Sequence, residues 1–226
     1  MDRDRARAAR PRRPGRLITF EGGEGGGKTT QLLRLAERLK KAGVAVIATR
    51  EPGGTPLAEA IRKFVLSGAA RSLGAEGEAI LFAAARADHV DRLIRPALDR
   101  GDWVLCDRFT DSTRAYQGAA GVDPGIIRAL ERVAVGQTRP DLTIILDLPV
   151  EIGLSRAASR NAGADRFEAD PADIHRQRRA IFLAIARQEP ERCVVVDASR
   201  PESEVTAAIW QAVAERLAVR PVRNDG

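Results

Sequence analysis

The sequence predicts a three-layer α/β fold with a five-stranded parallel sheet held between helices. Two observations predict it. Five short apolar runs recur along the chain, each continuous rather than alternating, as strands covered on both faces require. Longer helical stretches separate them, and such alternation winds into a parallel, doubly wound sheet.

The strands expected are LITFE (17–21), VAVIATR (44–50), WVLCD (103–107), LTIILDL (142–148) and CVVVD (193–197). Between the first two lies KTTQLLRLAERLKKAG, with Leu32, Leu35, Ala36 and Leu39 on one stripe and Gly43 just past its end. Further helices are expected over 55–67, 75–99, 123–136, 150–160, 171–188 and 201–218. With 226 residues, 44% of them hydrophobic, the chain holds enough apolar material for one domain, placed at 16–218 between tails 1–15 and 219–226.

Charge and composition narrow the function. Of the +6 net charge, residues 1–16 supply +5 through seven Arg and two Asp. Basicity is therefore a tail, expected to be disordered, and a nucleic-acid-binding face is not expected. No apolar run reaches the roughly 18 residues that span a bilayer, and the N-terminus lacks the apolar stretch of a secretory signal. A cytoplasmic protein is the expectation. Cys106 and Cys193 sit inside apolar strands, and His89 and His175 lie far apart, so neither zinc nor a disulfide framework is expected.

The glycine run EGGEGGGKTTQ (21–31) carries the first chemistry. Gly22 to Thr29 satisfies G-x-x-x-x-G-K-[ST], between a strand and an amphipathic helix as that motif requires. Glycines let the backbone N–H groups of Gly22, Gly23, Glu24, Gly25, Gly26 and Gly27 approach a phosphate chain without Cβ clashes. The positive end of the helix dipole faces the anion at Lys28, Thr29 and Thr30. Lys28 reaches the β- and γ-phosphates, and the Thr29 hydroxyl is a ligand for Mg²⁺. ATP is the expected donor. An Asn-Lys-x-Asp guanine signature is missing, and the chain is short for a motor, which leaves small kinases.

Four other stretches point to the acceptor. TREPGGTPLAEAIR (49–62) sets Arg50 at the carboxyl edge of the sheet, where ligands bind in such folds. ILFAAARADHV (80–90) puts Phe82 and Arg86 on one helix face. DRFTDSTRAYQG (107–118) brings Asp107 and Arg108 to the same edge. SRAASRNAGADRFEAD (155–170) clusters arginines in a segment expected to move.

Together these motifs resemble the bacterial thymidylate kinases, within the nucleoside monophosphate kinase group of P-loop proteins. The resemblance covers about residues 16–218 in the family's motif order. It implies ATP and dTMP as substrates, Mg²⁺ as cofactor and a homodimer. It assigns Arg50 and Arg108 to the dTMP phosphate, Phe82 to stacking on thymine and Arg86 to thymine O4, where cytosine would present a second donor. Ser112 and Thr113 fall where the family meets the base, Tyr116 where it crowds C2′, Gln117 among the residues expected to bind dTMP, and Glu24 near the 3′-hydroxyl or the metal. Adenine contacts fall near Ser199 and Arg200.

Thr29 and Asp107 are the expected metal residues, with Asp147 the alternative. The family carries its catalytic arginine either in the glycine loop or in the lid, and this loop holds Gly25 and Gly26 and no arginine, so the resemblance implies that the segment 155–170 supplies the cation. Arg156, Arg160 and Arg166 are candidates, and Arg160 and Arg166 are favoured to act with Lys28 and Arg108 in catalysis. No general base is expected, because a phosphate oxygen is already ionised.

Blander readings stay open beside these. Phe82 also suits a core, and Arg86 also suits a surface pair with Asp88 or Glu78. Arg71, Arg92 and Arg114 read as solvated surface, and the Asp111 carboxylate is an odd charge inside the acceptor motif. A nucleotide-dependent regulatory or nucleic-acid-binding module is the rival reading from another class.

Overall fold

The computed structural model describes residues 15–159 and 166–219. The basic tail, the end of the C-terminal tail and Arg160 lie outside them.

Five parallel strands form one sheet in the order β2-β3-β1-β4-β5: β1 (Arg16–Glu21), β2 (Val46–Arg50), β3 (Trp103–Asp107), β4 (Leu142–Asp147) and β5 (Cys193–Asp197). The central β1 pairs with β3 and β4, so its carboxyl end, where the glycine run begins, has a strand on either side.

Alternation along β1 sorts the two faces. Ile18 and Phe20 pack against Leu32, Leu35 and Leu39 of α1 (Lys28–Lys41) and Val205, Ile209 and Val213 of α9 (Glu202–Leu217). Leu17 points the other way, with Val104 and Cys106. There it meets Ala83 of α3 (Gly74–His89), Val90 and Ile94 of the π-helical turn Val90–Ile94, Ala97 of α4 (Arg95–Asp99) and Ala134 of α6 (Pro124–Val135). A third cluster joins Ala115 and Tyr116 of α5 (Thr110–Ala119) to Phe182 and Ile185 of α8 (Ala172–Gln188). Each fully buried Leu, Ile or Phe stabilises the fold by about 1.5–3 kcal/mol. Among the described residues the remaining helices are α2 (Pro56–Leu66), α7 (Val150–Ala158) and a short 3-10 helix, Ala69–Leu73. Among the described residues no helix is long and apolar enough to cross a membrane.

The expected strands are all present, and most helices appear within a residue or two. Three corrections stand out. The stretch 75–99 is not a uniform helix: a π-helical turn precedes Pro96, whose ring nitrogen cannot donate to the preceding turn. Thr110–Ala119, read as a segment following a strand, is a helix.

Arg114 is not solvated surface either. It binds Glu131 at 2.8 Å and Glu189 at 2.6 Å. The Asp111 carboxylate is buried and takes two bonds from Arg192, at 2.7 and 2.9 Å. Arg192 also donates to Thr143, which bonds to Thr19 in the sheet. The charge of Asp111 is thus compensated inside a structural network beneath α5.

Candidate active site

The chain leaves β1 at Glu21 and turns through Gly22–Gly27 into α1. Gly22, Gly25 and Gly27 have φ of 128°, 68° and 79°. A Cβ on Gly22 would lie 2.4 Å from the Leu146 carbonyl oxygen, and one on Gly25 2.1 Å from that of Gly153. Only glycine fits either position. Lys28 is buried, and its Nζ donates to the carbonyls of Gly22 (3.2 Å) and Gly23 (2.7 Å), curling the loop over it. Burial and the neighbouring Arg108 cation lower the Lys28 pKa, so a bound anion would restore the favoured charge. No acidic side chain occupies the first turn of α1, which leaves its dipole end open to an anion.

Beside this loop lies a cleft of about 680 Å³, lined by Gly25, Gly26, Gly27, Thr30, Arg156 and Arg200 among others. Arg156 Nη1 donates to the Ala198 carbonyl at 2.9 Å, spanning the cleft's edge. The Thr29 hydroxyl donates to the Asp107 carboxylate, placing two hard oxygen donors at the head of α1. Asp147 is held by Arg179 at 2.7 and 2.9 Å, in a pocket it shares with Gly22, Gly23 and Glu24.

A second pocket, of about 610 Å³, opens on the other side of the loop. Its wall from α3 carries Phe82, half-buried, and Arg86, buried. Arg86 donates from Nε to Glu51 (2.6 Å), from Nη1 to Thr113 Oγ1 (3.0 Å) and from Nη2 to the Phe109 carbonyl (2.9 Å). From α5 come Ser112, Thr113, Tyr116 and Gln117, and Phe167 stands across from Phe82 with ring centroids 6.3 Å apart.

Arg108 joins the two sides. It holds a left-handed backbone with φ of 69°, which costs a non-glycine residue about 1–2 kcal/mol. Its amide donates to the Phe20 carbonyl, and its guanidinium donates to Gly22 O, to Ser112 Oγ and, at 2.7 Å, to Glu24. Tyr116 donates its hydroxyl to the same Glu24 oxygen. Burial pushes the Glu24 carboxyl up, but the charges of Arg108 and Lys28 outweigh it and hold the pKa at about 2. Glu24 is ionised at any working pH.

Beneath them Glu21 is fully buried at the end of β1. It accepts from the Phe109 and Ser112 amides and, at 2.6 Å, from the Ser112 hydroxyl. Burial first, then Asp111, pushes its carboxyl to about 7.

The structure thus gathers Glu24, Phe82, Arg86, Arg108, Ser112, Thr113, Tyr116 and Gln117 around one pocket. Arg86 pairs with neither Asp88 nor Glu78. Arg50 lies outside that pocket, in an adjoining cleft with Thr29, Asp107 and Arg108, and meets Glu59 at 3.2 Å. Arg166 is turned to Glu78 on α3, at 2.6 Å, over the ring of Phe167. Of the arginines in that segment that are described, Arg156 is the one lining the cleft beside the glycine loop.

Sequence reasoning missed Glu21, Glu51 and Phe167. Charged residues next to Gly or Pro inside strand-end motifs were the available signal for the two carboxylates. Phe167, in an arginine-rich segment, carried no periodicity to find. Glu51, His89 and Cys106 bring potential ligand atoms within 4.8 Å of one another. Glu51 is already shared by Arg86 and His89, however, and burial raises the Cys106 thiol well above its usual pKa, which suits core packing better than a metal.

A phosphate-cradling glycine loop that shares Glu24 and Arg108 with a pocket for a second molecule defines a P-loop phosphotransferase. The comparisons narrow the class. A family model described as thymidylate kinase matches residues 20–209. The thymidylate kinase of Rhodopseudomonas palustris (strain ATCC BAA-98 / CGA009) is 58% identical over 213 residues, 92% of each chain. That of Nitrobacter winogradskyi is 58% identical over 205 residues, 89% of each chain. That of Bradyrhizobium sp. (strain ORS 278) is 56% identical over 217 residues, covering 94% of this chain and 96% of the other. The chain belongs to the thymidylate kinase family.

Proposed function

We propose that the chain transfers the γ-phosphoryl group of ATP to dTMP, giving dTDP and ADP. The observation that carries the acceptor is Arg86. It is fixed by three hydrogen bonds in the pocket wall one helical turn from Phe82. Stacked on Phe82, a thymine would present O4 to this donor, whereas cytosine would oppose it with an amino group and leave both donors unpaired. Ser112, Thr113 and Gln117 line the rest of the base site. Tyr116, held by Glu24, narrows the pocket where the sugar would lie.

Arg108 receives the acceptor phosphate between the glycine loop and Ser112, with Arg50 closing from the adjoining cleft. The attacking phosphate oxygen is ionised already, so the protein's task is alignment and charge stabilisation. Gly22 to Thr30 hold the ATP phosphates, and Lys28 neutralises charge on the transferring group. The donor set of Thr29 and Asp107 fits a divalent ion, taken here as Mg²⁺. When bound, it supplies positive charge at the phosphate oxygens.

Segment 155–170 acts as the lid of domain 16–218, with Arg160 and Arg166 as the cations it brings to the transferred group. Arg156 is a further candidate, supported by its place at the cleft edge. Ser199 and Arg200 flank the adenine side. A homodimer rests on the family resemblance, with Ile80 and Val133 exposed on α3 and α6 as apolar surface for it. A cytoplasmic location rests on the sequence reading.

The test is ADP release from ATP and Mg²⁺ with dTMP, dUMP, dCMP, AMP and GMP as separate acceptors. Turnover is expected to be strong with dTMP, weaker with dUMP and near background with the others. Background release with all five would sink the reading.

A further inference from the structure

Behind the acceptor pocket runs a buried chain of hydrogen bonds that the phosphoryl-transfer scheme does not use. Glu51 accepts from Arg86 Nε at 2.6 Å through one carboxylate oxygen and meets His89 Nδ1 at 3.1 Å through the other. His89 Nε2 in turn meets Thr49 Oγ1 at 2.8 Å. Glu51, Arg86 and His89 are all at most 5% exposed. The bonds run in one direction when His89 carries its proton on Nδ1: Thr49 donates to His89, and His89 and Arg86 donate to Glu51. The loop after β2 lies directly on this chain. A Cβ on Gly54 would sit 2.5 Å from His89 Nε2 and 2.6 Å from Thr49 Oγ1.

We infer that Glu51 and His89 are positioning residues for acceptor recognition. They lock the Arg86 fork in the pocket wall and tie it to the β2 end and loop that carry Arg50. The inference rests on Arg86 being the base contact proposed above. Three observations support it. A guanidinium this deeply buried needs a compensating carboxylate, and Glu51 is the one bonded to it. Engaging Nε fixes the plane of the fork, and therefore the direction in which its remaining N–H groups point. His89 consumes the second oxygen of Glu51, so the carboxylate has one orientation. Base reader and phosphate arginine then sit at opposite ends of one rigid unit, the arrangement that aligns an acceptor most effectively.

Glu51→Gln and His89→Gln test this in the full-length protein, with KM and kcat measured for dTMP, KM for ATP, and the preference for dTMP over dCMP. Wild-type turnover with dTMP comes first. Its absence would remove the parent reading and this inference together, whereas normal wild-type turnover with unaffected variants would remove only the inference.

Glu51→Gln keeps size and an acceptor oxygen but not the charge. It is expected to raise KM for dTMP about tenfold, to change kcat less, to leave KM for ATP within about twofold, and to erode the preference for dTMP. A folded Glu51→Gln protein whose KM for dTMP rises less than about fivefold, or whose KM for ATP rises in step, overturns the inference. Should Glu51→Gln fail to fold, His89→Gln decides, because it leaves the Arg86–Glu51 pair in place. A KM rise for dTMP of about threefold or more with KM for ATP unchanged supports positioning, and a smaller one overturns it.

Discussion

The two sides of the site are built by different means. The donor side is backbone: six consecutive residues, three of them glycines with positive φ, fold onto the head of α1, and side chains serve mainly to brace them. The proposed acceptor pocket is side chain: its lining comes from the glycine loop, the β2 loop, α2, α3, Arg108 after β3, α5 and Phe167. A polyphosphate offers the same oxygens whatever base it carries, so amides suffice to hold it. Telling one pyrimidine from another needs directional donors held still, the task proposed above for the buried Arg86–Glu51 pair. Generality is local in sequence here, and discrimination is long-range.

Mutations at each side should fail in different ways. Lys28→Ala is expected to lower kcat about 10²–10³-fold while calorimetric dTMP affinity stays close to wild type. Turnover within tenfold of wild type would break the distinction. Arg86→Ala should raise KM for dTMP about 10²-fold and leave KM for ATP nearly unchanged. It should also lower stability in urea by about 3 kcal/mol, because Glu51 is left buried without its cation. Arg50→Ala, at an exposed position, should raise KM for dTMP only about tenfold.

Smallest is a pH effect. The Glu21 carboxyl titrates near 7 in the fold against 4.5 ordinarily, so between those values the folded chain holds a proton that the unfolded chain has released. Its contribution to stability therefore declines as pH rises through that window. Glu21→Gln, which mimics the protonated form, should gain on wild type by on the order of 1–3 kcal/mol between pH 5 and pH 8. A gap in urea stability that does not change with pH would refute this.

How legible the molecule was follows the same division. The five strands and the glycine loop were readable because continuous apolar runs and G-x-x-x-x-G-K-T encode local constraints. The roles proposed for Phe82 and Arg86 come from family resemblance, and spacing alone shows only their common helix face. Glu51 and His89 are 38 positions apart and signal nothing until α3 packs behind the β2 loop. Helix α5 was hidden because its buried face carries Thr110, Asp111, Thr113 and Gln117, polar residues satisfied by ion pairs and hydrogen bonds formed only in three dimensions. Asp111 looked like an intrusion in the motif for that reason, and Arg192, 81 residues away, explains it.

Asp107 and Arg108 are consecutive, yet one turns to Thr29 on the donor side and the other to Glu24 and Ser112 on the acceptor side. A single peptide unit therefore acts as a caliper with its jaws about 3.8 Å apart at the Cα atoms. Substituting either side chain leaves that Cα spacing unchanged and moves only the group it carries, whereas one inserted residue would change the spacing itself. Acceptors of new shape could be accommodated by recarving the distant wall of α3 and α5, provided the phosphate end still fits a gauge cast in the covalent backbone.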